Sequence, residues 1–324
     1  MSSLVLERPA PSSDLDDLIV LWERVLLQSP IYPDDNFFDL GGDSLAAVKL
    51  FHEIELHTGR KLPITSIYDV PTPALLAALL SEPEAVPVFS PLVLLRAGIG
   101  TPLFIVHGLG GNVMELAQLA KRVDTEHPVY AIQPKGLDGI ETPYDRVDPM
   151  VDYYLRAIRE LQPRGPYLLA GYSFGGLIAV EMARRLTQAD EEVAFLAFID
   201  SYPHPHAFPL RHRAFVKLAT SIGGARGLGL KPDDVEGGPA LQRVYDGSLE
   251  ALLHYRPRAY HGKVDFFRPT RSIFPVHPAK IWGKHLGALE LHTVRGDHDS
   301  MMRNYVAHLA LKFSACLRQA EGAR

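Results

Sequence analysis

Ser173 lies at the centre of residues 171–175, Gly-Tyr-Ser-Phe-Gly, with a glycine two residues away on either side. A short apolar run precedes this stretch and a helical pattern of apolar residues follows it, which predicts a strand, a sharp turn and a helix. Such a turn exposes the serine hydroxyl above the end of the strand, where it can attack a carbonyl carbon. The spacing therefore favours a nucleophilic serine, although a glycine-rich turn with an incidental serine has the same pattern.

A nucleophilic serine needs a histidine that takes its proton and an acid that orients the histidine. In the class of hydrolase built on this turn, the acid and then the histidine follow the serine along the chain. His298 comes after the last predicted strand, and Asp200 ends the strand that follows the nucleophile helix. Residues 268–271, after the next-to-last strand, contain no carboxylate, and Asp265 lies within its strand and is expected to point elsewhere. We predict that Asp200 and His298 are the partners of the serine; the alternative for Asp200 is a turn-forming aspartate before residues 201–203.

The oxygen that becomes negative during the attack needs N–H donors already aimed at it. The backbone N–H of Phe174, directly after the serine, is one predicted donor. We expect the second from the loop at residues 107–111, His-Gly-Leu-Gly-Gly, and assign it to Leu109. Glycine-rich loops also bind phosphate, but this loop lacks both nucleotide-binding spacings, so the nucleotide interpretation is weak.

Residues 37–45, Phe-Phe-Asp-Leu-Gly-Gly-Asp-Ser-Leu, form a second stretch that could carry chemistry. On residue type alone, Asp43 and Ser44 are an ordinary helix N-cap. Apolar spacing in this part of the chain predicts four helices, at residues 14–26, 44–59, 65–69 and 72–80. Together they predict a small four-helix bundle.

Charge separates this bundle from the rest of the chain. Of the 324 residues, the first 82 hold 5 Lys+Arg and 13 Asp+Glu, a net charge of −8, whereas the remainder carries +3. Residues 83–90 are punctuated by prolines and have no apolar period, so they are predicted to be a linker.

The overall composition excludes several classes of protein. A net charge of −5 gives no reason to expect nucleic acid or an anionic membrane as a partner. The single cysteine, Cys316, excludes an internal disulfide and fits a reducing compartment. Because no signal-peptide or membrane-spanning pattern occurs, we expect a cytoplasmic protein. No metal site is predicted.

From residue 91 onward strands and helices alternate, which is typical of a mostly parallel sheet wrapped by helices. The predicted strands cover residues 92–95, 102–106, 129–133, 166–170, 192–199, 263–267 and 290–294. The predicted helices cover residues 113–122, 150–161, 177–186 and 305–320. With the serine turn, this pattern predicts the α/β hydrolase fold.

Residues 203–262 are too long for a simple connection between two strands. We predict a helical lid beside the site, with one helix at residues 241–254, which would exclude water and shape an acyl pocket. An ordinary surface insertion is the alternative.

The motif at residues 37–45 resembles the attachment motif of peptidyl carrier domains of nonribosomal peptide synthetases, and the resemblance covers residues 10–82. It implies that Ser44 carries a covalent 4′-phosphopantetheine group. It also implies that Asp43 and the helix N-terminus suit the phosphopantetheinyl transferase that installs the group.

Residues 91–320 resemble the type I thioesterase domains that end nonribosomal peptide synthetases. The matching stretches are residues 107–111, 131–139, 171–176, 200–203 and 296–302. In that family the acid follows the strand after the nucleophile, which agrees with the choice of Asp200.

Together the two resemblances imply a carrier–thioesterase didomain. An acyl or peptidyl chain carried on Ser44 would pass to Ser173 and leave by hydrolysis or cyclisation. Because the sequence contains no adenylation or condensation domain, we expect loading in trans by an adenylating enzyme, or by upstream synthetase modules if the chain is part of a longer protein. Two alternatives stay open: a free-standing esterase or editing thioesterase with a docking bundle, and a carrier or scaffold with an inactive hydrolase unit.

Overall fold

The computed structural model describes residues 15–42, 44–60, 62, 66–82, 89–204, 206, 208, 239–272, 274 and 276–322. The chain divides into two compact units, Met1–Phe89 and Ser90–Arg324, and each is described by itself. Asp43, residues 83–88 of the predicted linker and residues 209–238 of the predicted lid lie outside the described residues. The bounds predicted from the sequence, 10–82 for the bundle and 91–320 for the hydrolase, stay predictions.

Four helices form the described part of the first unit: α1 Leu15–Leu26, α2 Ser44–Thr58, α3 Ser66–Asp69 and α4 Pro73–Ser81. Local chemistry explains where α4 begins. The Thr72 side chain accepts a hydrogen bond from the Leu75 amide at 3.2 Å, and Pro73 occupies the first turn, where its missing N–H is not needed. The predicted helical bundle is therefore present.

The core of the first unit is centred on Trp22, which is fully buried and packs edge-on against Phe37 with ring centroids 5.4 Å apart. Gly42 lies directly on the Phe37 ring, and a Cβ at this position would overlap the ring carbons. Glycine is therefore required for the backbone to approach the core here. This contact fixes the chain two residues before α2 begins.

Seven strands form one sheet in the described part of the second unit: β1 Leu92–Arg96, β2 Leu103–Val106, β3 Val129–Ile132, β4 Tyr167–Tyr172, β5 Val193–Ile199, β6 Tyr260–Pro269 and β7 Leu286–Val294. Their order is β1-β3-β2-β4-β5-β6-β7; β1 pairs with β3 antiparallel, and the other pairs are parallel. The described helices of this unit are α5 Met114–Arg122, α6 Val147–Leu161, α7 Gly175–Gln188, α8 Pro239–His254, α9 Pro278–Trp282 and α10 Val306–Gly322. The predicted α/β hydrolase fold is confirmed.

Helices cover both faces of the sheet. On β5, Phe195 packs edge-on against Phe313 of α10, with ring centroids 5.3 Å apart. Phe198, three residues further on and hence on the other face, packs against Trp282 of α9 at 5.0 Å. Because both faces of the central strands are buried, these strands are continuous apolar runs, which makes them recognisable in the sequence.

The strand register brings the loops of the site together. Val106, the last residue of β2, lies opposite Gly171 of β4, and Tyr172 of β4 lies opposite Ile199 of β5. Because these strands are parallel, their carboxyl ends meet at one edge of the sheet. The segments that follow β2, β4 and β5 therefore converge there.

Strands β6 and β7 are longer than the sequence predicts, since residues 263–267 and 290–294 cover only part of each. Gly262 and Gly287 lie outside the predicted spans, and glycine usually weakens the interior of a strand. In the fold, a Cβ at Gly287 would overlap the His261 carbonyl, so this glycine permits close pairing of the two strands.

Strand β6 begins at Tyr260, so it includes the last three residues of the stretch at about 203–262 from which the lid was predicted. The lid itself stays a prediction. The helix predicted within it is α8, which begins two residues earlier than expected. Helix α9 was not predicted, since five residues are too few to show a helical period. In the described ranges, no helix combines the length and the apolar character needed to cross a membrane.

Candidate active site

Ser173 lies in the turn between β4 and α7 with a backbone φ of 54°, a left-handed conformation that is strained for a residue with a side chain. The flanking glycines make room for it. A Cβ on Gly171 would overlap the backbone of Gly175, and a Cβ on Gly175 would overlap the carbonyl oxygens of Val106 and His107. The turn therefore forms only where both positions lack side chains, and it presents the serine at the carboxyl end of β4.

Ser173, His298 and Asp200 form one hydrogen-bonded line. Ser173 Oγ lies 3.0 Å from His298 Nε2, and His298 Nδ1 lies 2.8 Å from Asp200 Oδ2. Because a carboxylate only accepts, Nδ1 carries the hydrogen, and Nε2 of the neutral ring accepts from the serine hydroxyl. The structure thus brings together three residues predicted from three distant parts of the sequence, in an arrangement that can move a proton from Ser173 to His298.

The surroundings of His298 favour its charged form. Burial lowers the pKa of His298, but the hydrogen bond and charge of Asp200, with smaller contributions from Asp299 and Glu115, raise that pKa above its ordinary value. Asp200 is only 3% exposed, so water screens its charge weakly. The site therefore stabilises the imidazolium that forms when the serine loses its proton.

Asp200 stands directly after β5 with a φ of 46°. Its amide donates to the Phe267 carbonyl of β6 at 2.9 Å, which anchors the turn to the neighbouring strand. Its Oδ1 is buried without a hydrogen-bond partner among the described residues, so the contact with His298 is the main interaction of this carboxylate.

Asp265 belongs to a separate cluster. Its Oδ1 lies 2.8 Å from His292 Nε2 and 3.3 Å from Lys263 Nζ, and His292 in turn lies 3.4 Å from Cys316 Sγ. The donor atoms of Asp265, His292 and Cys316 lie within 4.8 Å of one another, a grouping that could hold a metal ion. Burial, followed by the nearby carboxylates, raises the pKa of Cys316 to about 12. Asp265 is therefore engaged with these residues rather than with His298.

The two predicted oxyanion donors come from the residue after the serine and from the loop after β2. Phe174 directly precedes α7, so its amide lies at the positive end of the helix dipole. Leu109 is half-buried in the loop after β2, next to Gly108, where a Cβ would lie 3.1 Å from the Tyr172 ring. Among the described residues, neither amide donates to another protein group, so both N–H groups are available to a substrate oxygen.

Two residues that support His298 were missed by sequence reasoning. The Tyr172 ring stacks on the His298 ring at 5.0 Å, and its hydroxyl donates to the His298 carbonyl at 3.2 Å. Asp297 accepts hydrogen bonds from the amide and hydroxyl of Ser300 at 3.0 and 2.6 Å, which holds the turn that carries the histidine. The position of Tyr172 inside the glycine–serine motif is the signal that could have identified it.

Ser44 is the first residue of α2, while Asp43 lies outside the described residues. Two glycines shape the backbone that leads to Ser44. Gly41 has a left-handed φ of 84°, and Gly42 packs on the Phe37 ring. A phosphodiester on a serine at the start of a 15-residue helix would lie at the positive end of the helix dipole. The position therefore suits a phosphate-linked group.

The fold and the line of Ser173, His298 and Asp200 define an α/β hydrolase with the geometry of a serine nucleophile. Comparison with protein families identifies the class of hydrolase. Residues 101–217 match the thioesterase domain family, and residues 16–80 match the phosphopantetheine attachment site family.

Curated relatives align with most of the chain. The chain is 35% identical over 277 residues to a dimodular nonribosomal peptide synthase of Bacillus subtilis, covering 77% of this chain and 12% of the relative. It is 33% identical over 309 residues to malpibaldin synthetase of Mortierella alpina, covering 90% of this chain and 6% of the relative. The chain thus spans only a small part of the length of these relatives.

Solved structures show the same fold. A four-domain nonribosomal peptide synthetase, holo-AB3403, superposes with a TM-score of 0.60 and 22% identity over 97% of this chain and 27% of that chain. The NocB thioesterase domain, in a covalent complex with a fluorophosphonate nocardicin G analogue, superposes with a TM-score of 0.53 and 26% identity over 69% of this chain and 97% of that chain. The chain is therefore a phosphopantetheine carrier domain joined to a serine thioesterase domain, of the type found in nonribosomal peptide synthetases.

Proposed function

We propose that this chain releases an acyl or peptidyl product in nonribosomal peptide biosynthesis, with Ser44 as the attachment residue and Ser173 as the nucleophile. The observation that carries the proposal is the hydrogen-bonded line from Ser173 through His298 to Asp200, in a chain that also contains a phosphopantetheine attachment domain. When bound, the phosphopantetheine group supplies a thiol that holds the acyl chain as a thioester.

The first half of the reaction forms an ester on Ser173. His298 Nε2 accepts the hydroxyl proton as Ser173 Oγ bonds to the carbonyl carbon of a thioester substrate. The amides of Leu109 and Phe174 donate to the carbonyl oxygen as it becomes negative, and each such donor contributes about 10²–10³ in rate. Asp200 stabilises the imidazolium, which then gives its proton to the leaving sulfur as the carbon–sulfur bond breaks.

The second half releases the product. His298, neutral again, accepts a proton from water or from a nucleophile within the acyl chain as that group attacks the ester carbonyl. The carbon–oxygen bond to Ser173 breaks, and His298 returns the proton to Ser173 Oγ. Attack by water gives hydrolysis, and attack by a group within the chain gives cyclisation.

The proposal requires two kinds of protein partner. A phosphopantetheinyl transferase modifies Ser44, and upstream synthetase modules or an adenylating enzyme acting in trans supply the acyl group. The similarity to multimodular synthetases supports these partners.

Attachment is tested by intact mass after incubation with coenzyme A and a broad-specificity phosphopantetheinyl transferase. A pantetheine-sized gain in the wild type and none in Ser44→Ala is the expected result. Absence of any gain in the wild type would rule out the carrier role and leave a serine hydrolase with a helical docking unit.

Release is tested by loading the chain with an acyl-coenzyme A series and following the loss of the acyl mass with time. The wild type is expected to lose the acyl group, whereas Ser173→Ala, loaded to the same extent at Ser44, retains it. Equal loss from both proteins would exclude Ser173 as the nucleophile.

A further inference from the structure

His107 is a fully buried histidine that the proposed reaction does not use. Burial lowers the pKa of His107 to about 4, although its hydrogen bond to the Gly108 carbonyl acts in the opposite direction. The ring is therefore neutral near neutral pH. Being shielded from solvent, it has no direct access to a substrate.

The contacts of the neutral ring define which nitrogen carries the hydrogen. Nδ1 lies 2.6 Å from the Gly108 carbonyl oxygen, and Nε2 lies 2.8 Å from the Tyr154 hydroxyl of α6. A carbonyl only accepts, so Nδ1 carries the hydrogen; a neutral ring has no second one, so Tyr154 donates to Nε2. Burial raises the pKa of Tyr154 well above its ordinary value, which keeps this hydroxyl protonated. Tyr154 therefore fixes the tautomer in which His107 donates to Gly108.

The Gly108 carbonyl belongs to the same peptide unit as the Leu109 N–H. Because a trans peptide is planar, its C=O and N–H point in opposite directions, and a bond that holds one also holds the other. The Gly108 oxygen accepts a second hydrogen bond from the Gly111 amide at 3.1 Å. Gly108 also lies against Tyr172, next to the serine. The direction of the Leu109 N–H is thus set relative to the nucleophile.

We infer that His107 is a positioning residue: its Nδ1–H holds the Gly108–Leu109 peptide so that the Leu109 N–H is aimed at the oxygen that becomes negative when Ser173 attacks. The inference rests on the proposed roles of Ser173 and Leu109. Since losing one oxyanion donor costs about 10²–10³ in rate, a misaligned donor costs part of this, about tenfold to a hundredfold.

A pair of substitutions separates positioning from packing. In His107→Asn, the side-chain amide nitrogen is bonded to Cγ as Nδ1 is in histidine, so it can donate to the Gly108 carbonyl. In His107→Leu, the side chain fills much of the same space without a donor. Both variants lose the bond to Tyr154 and leave its buried hydroxyl unpaired, so both lose stability.

The experiment measures how fast a fluorophosphonate labels the full-length chain, by intact mass, between about pH 5 and pH 9. Attack on phosphorus also places negative charge on an oxygen, so the labelling rate depends on the same donors. We expect His107→Leu to be labelled about tenfold to a hundredfold more slowly than the wild type and His107→Asn at a rate close to it. The pH at which the labelling rate falls to half on the acid side, the acid-side midpoint, is expected to be the same in all three proteins, because His298 and Asp200 are unchanged.

The outcomes distinguish the inference from the function on which it rests. A His107→Leu variant that folds, by circular dichroism, and is labelled at the wild-type rate would overturn the inference; His107→Ala replaces it if leucine is not accommodated. A displaced acid-side midpoint would also overturn it, since the change would then act through His298. If the wild type is not labelled, or is labelled at a residue other than Ser173, the proposed function fails and the inference fails with it.

Discussion

At the scale of single residues, two residues of the site have a left-handed backbone conformation. Ser173 has a φ of 54° and Asp200 a φ of 46°. Such conformations cost about 1–3 kcal/mol each in residues with side chains, so the surrounding structure must enforce them. The Ser173 amide donates to the Ile199 carbonyl and the Asp200 amide to the Phe267 carbonyl, both at 2.9 Å. Each strained residue is therefore tied to the next strand of the sheet.

Replacing Asp200 by asparagine is expected to change both the rate and its pH dependence. The base must be neutral to act, so activity is lost as pH falls through the pKa of His298, which Asp200 raises above its ordinary value. Asp200→Asn removes that charge, so the acid-side midpoint of kcat/KM moves to lower pH. The rate falls by about 10²–10⁴, because the histidine tautomer is no longer enforced.

The measurement is a pH profile of kcat/KM with a soluble acyl thioester. Asp265→Asn is the matched control, since Asp265 contacts His292 and Lys263 and not His298. An unchanged midpoint in Asp200→Asn would contradict the assignment of the acid.

At the scale of elements, the sequence predicts those parts of the site that local chemistry determines. The turn at Ser173 is predictable because glycine is required at fixed spacings, and β2 and β4 are predictable because they are apolar along their full length. Chain order then suffices to choose Asp200 and His298 as candidates.

Contacts between distant elements were not predictable. The hydrogen bond between His107 and Tyr154 joins the loop after β2 to α6, and no local pattern reveals that the two side chains meet. Likewise, Gly287 acts through its closeness to His261 on the neighbouring strand, which depends on the pairing of β6 and β7. Such contacts are properties of the packed sheet and not of any one segment.

The turn between β4 and α7 gives a test of element packing. Gly175→Ala places a Cβ against the carbonyl oxygens of Val106 and His107, so backbone must shift. We expect a loss of about 1–3 kcal/mol in the free energy of unfolding, together with loss of Ser173 labelling. Gly110→Ala is the control, because a Cβ at this position meets no atom within 4 Å. Equal unfolding free energies for the two variants, measured by chemical denaturation, would contradict the expectation.

At the scale of the whole molecule, the chain consists of two units of different charge and construction. The first 82 residues carry −8 and fold as helices around Trp22, whereas the second unit is built on a seven-stranded sheet and the remaining residues carry +3. Ser44 belongs to the first unit, and the line of Ser173, His298 and Asp200 belongs to the second.

Acid is expected to destabilise the second unit through His107. Its pKa is about 4 in the folded chain, against about 6.5 for an unfolded histidine, so between these values the unfolded chain binds a proton that the folded chain excludes. The stability contribution is fully present above about pH 6.5 and falls by about 3 kcal/mol as pH decreases through 4. His107→Asn lacks this titration, so its deficit in unfolding free energy relative to the wild type is expected to shrink as pH falls.

The comparison is made by chemical denaturation at a series of pH values from about 7 to about 4. Other titrating groups contribute equally to both proteins and cancel. A constant difference between the wild type and His107→Asn across the series would show that His107 is not buried in its neutral form.

Each unit contains one of the two tryptophans, and both are fully buried. Indole fluorescence shifts to longer wavelength when water reaches the ring. In Trp282→Phe the remaining emission therefore reports on the carrier domain alone. In Trp22→Phe the remaining emission reports on the thioesterase domain alone. Trp282 donates from Nε1 to the Ser201 carbonyl at 3.0 Å, and Ser201 directly follows Asp200. Its emission is therefore an intrinsic optical probe one residue away from the acid of the site.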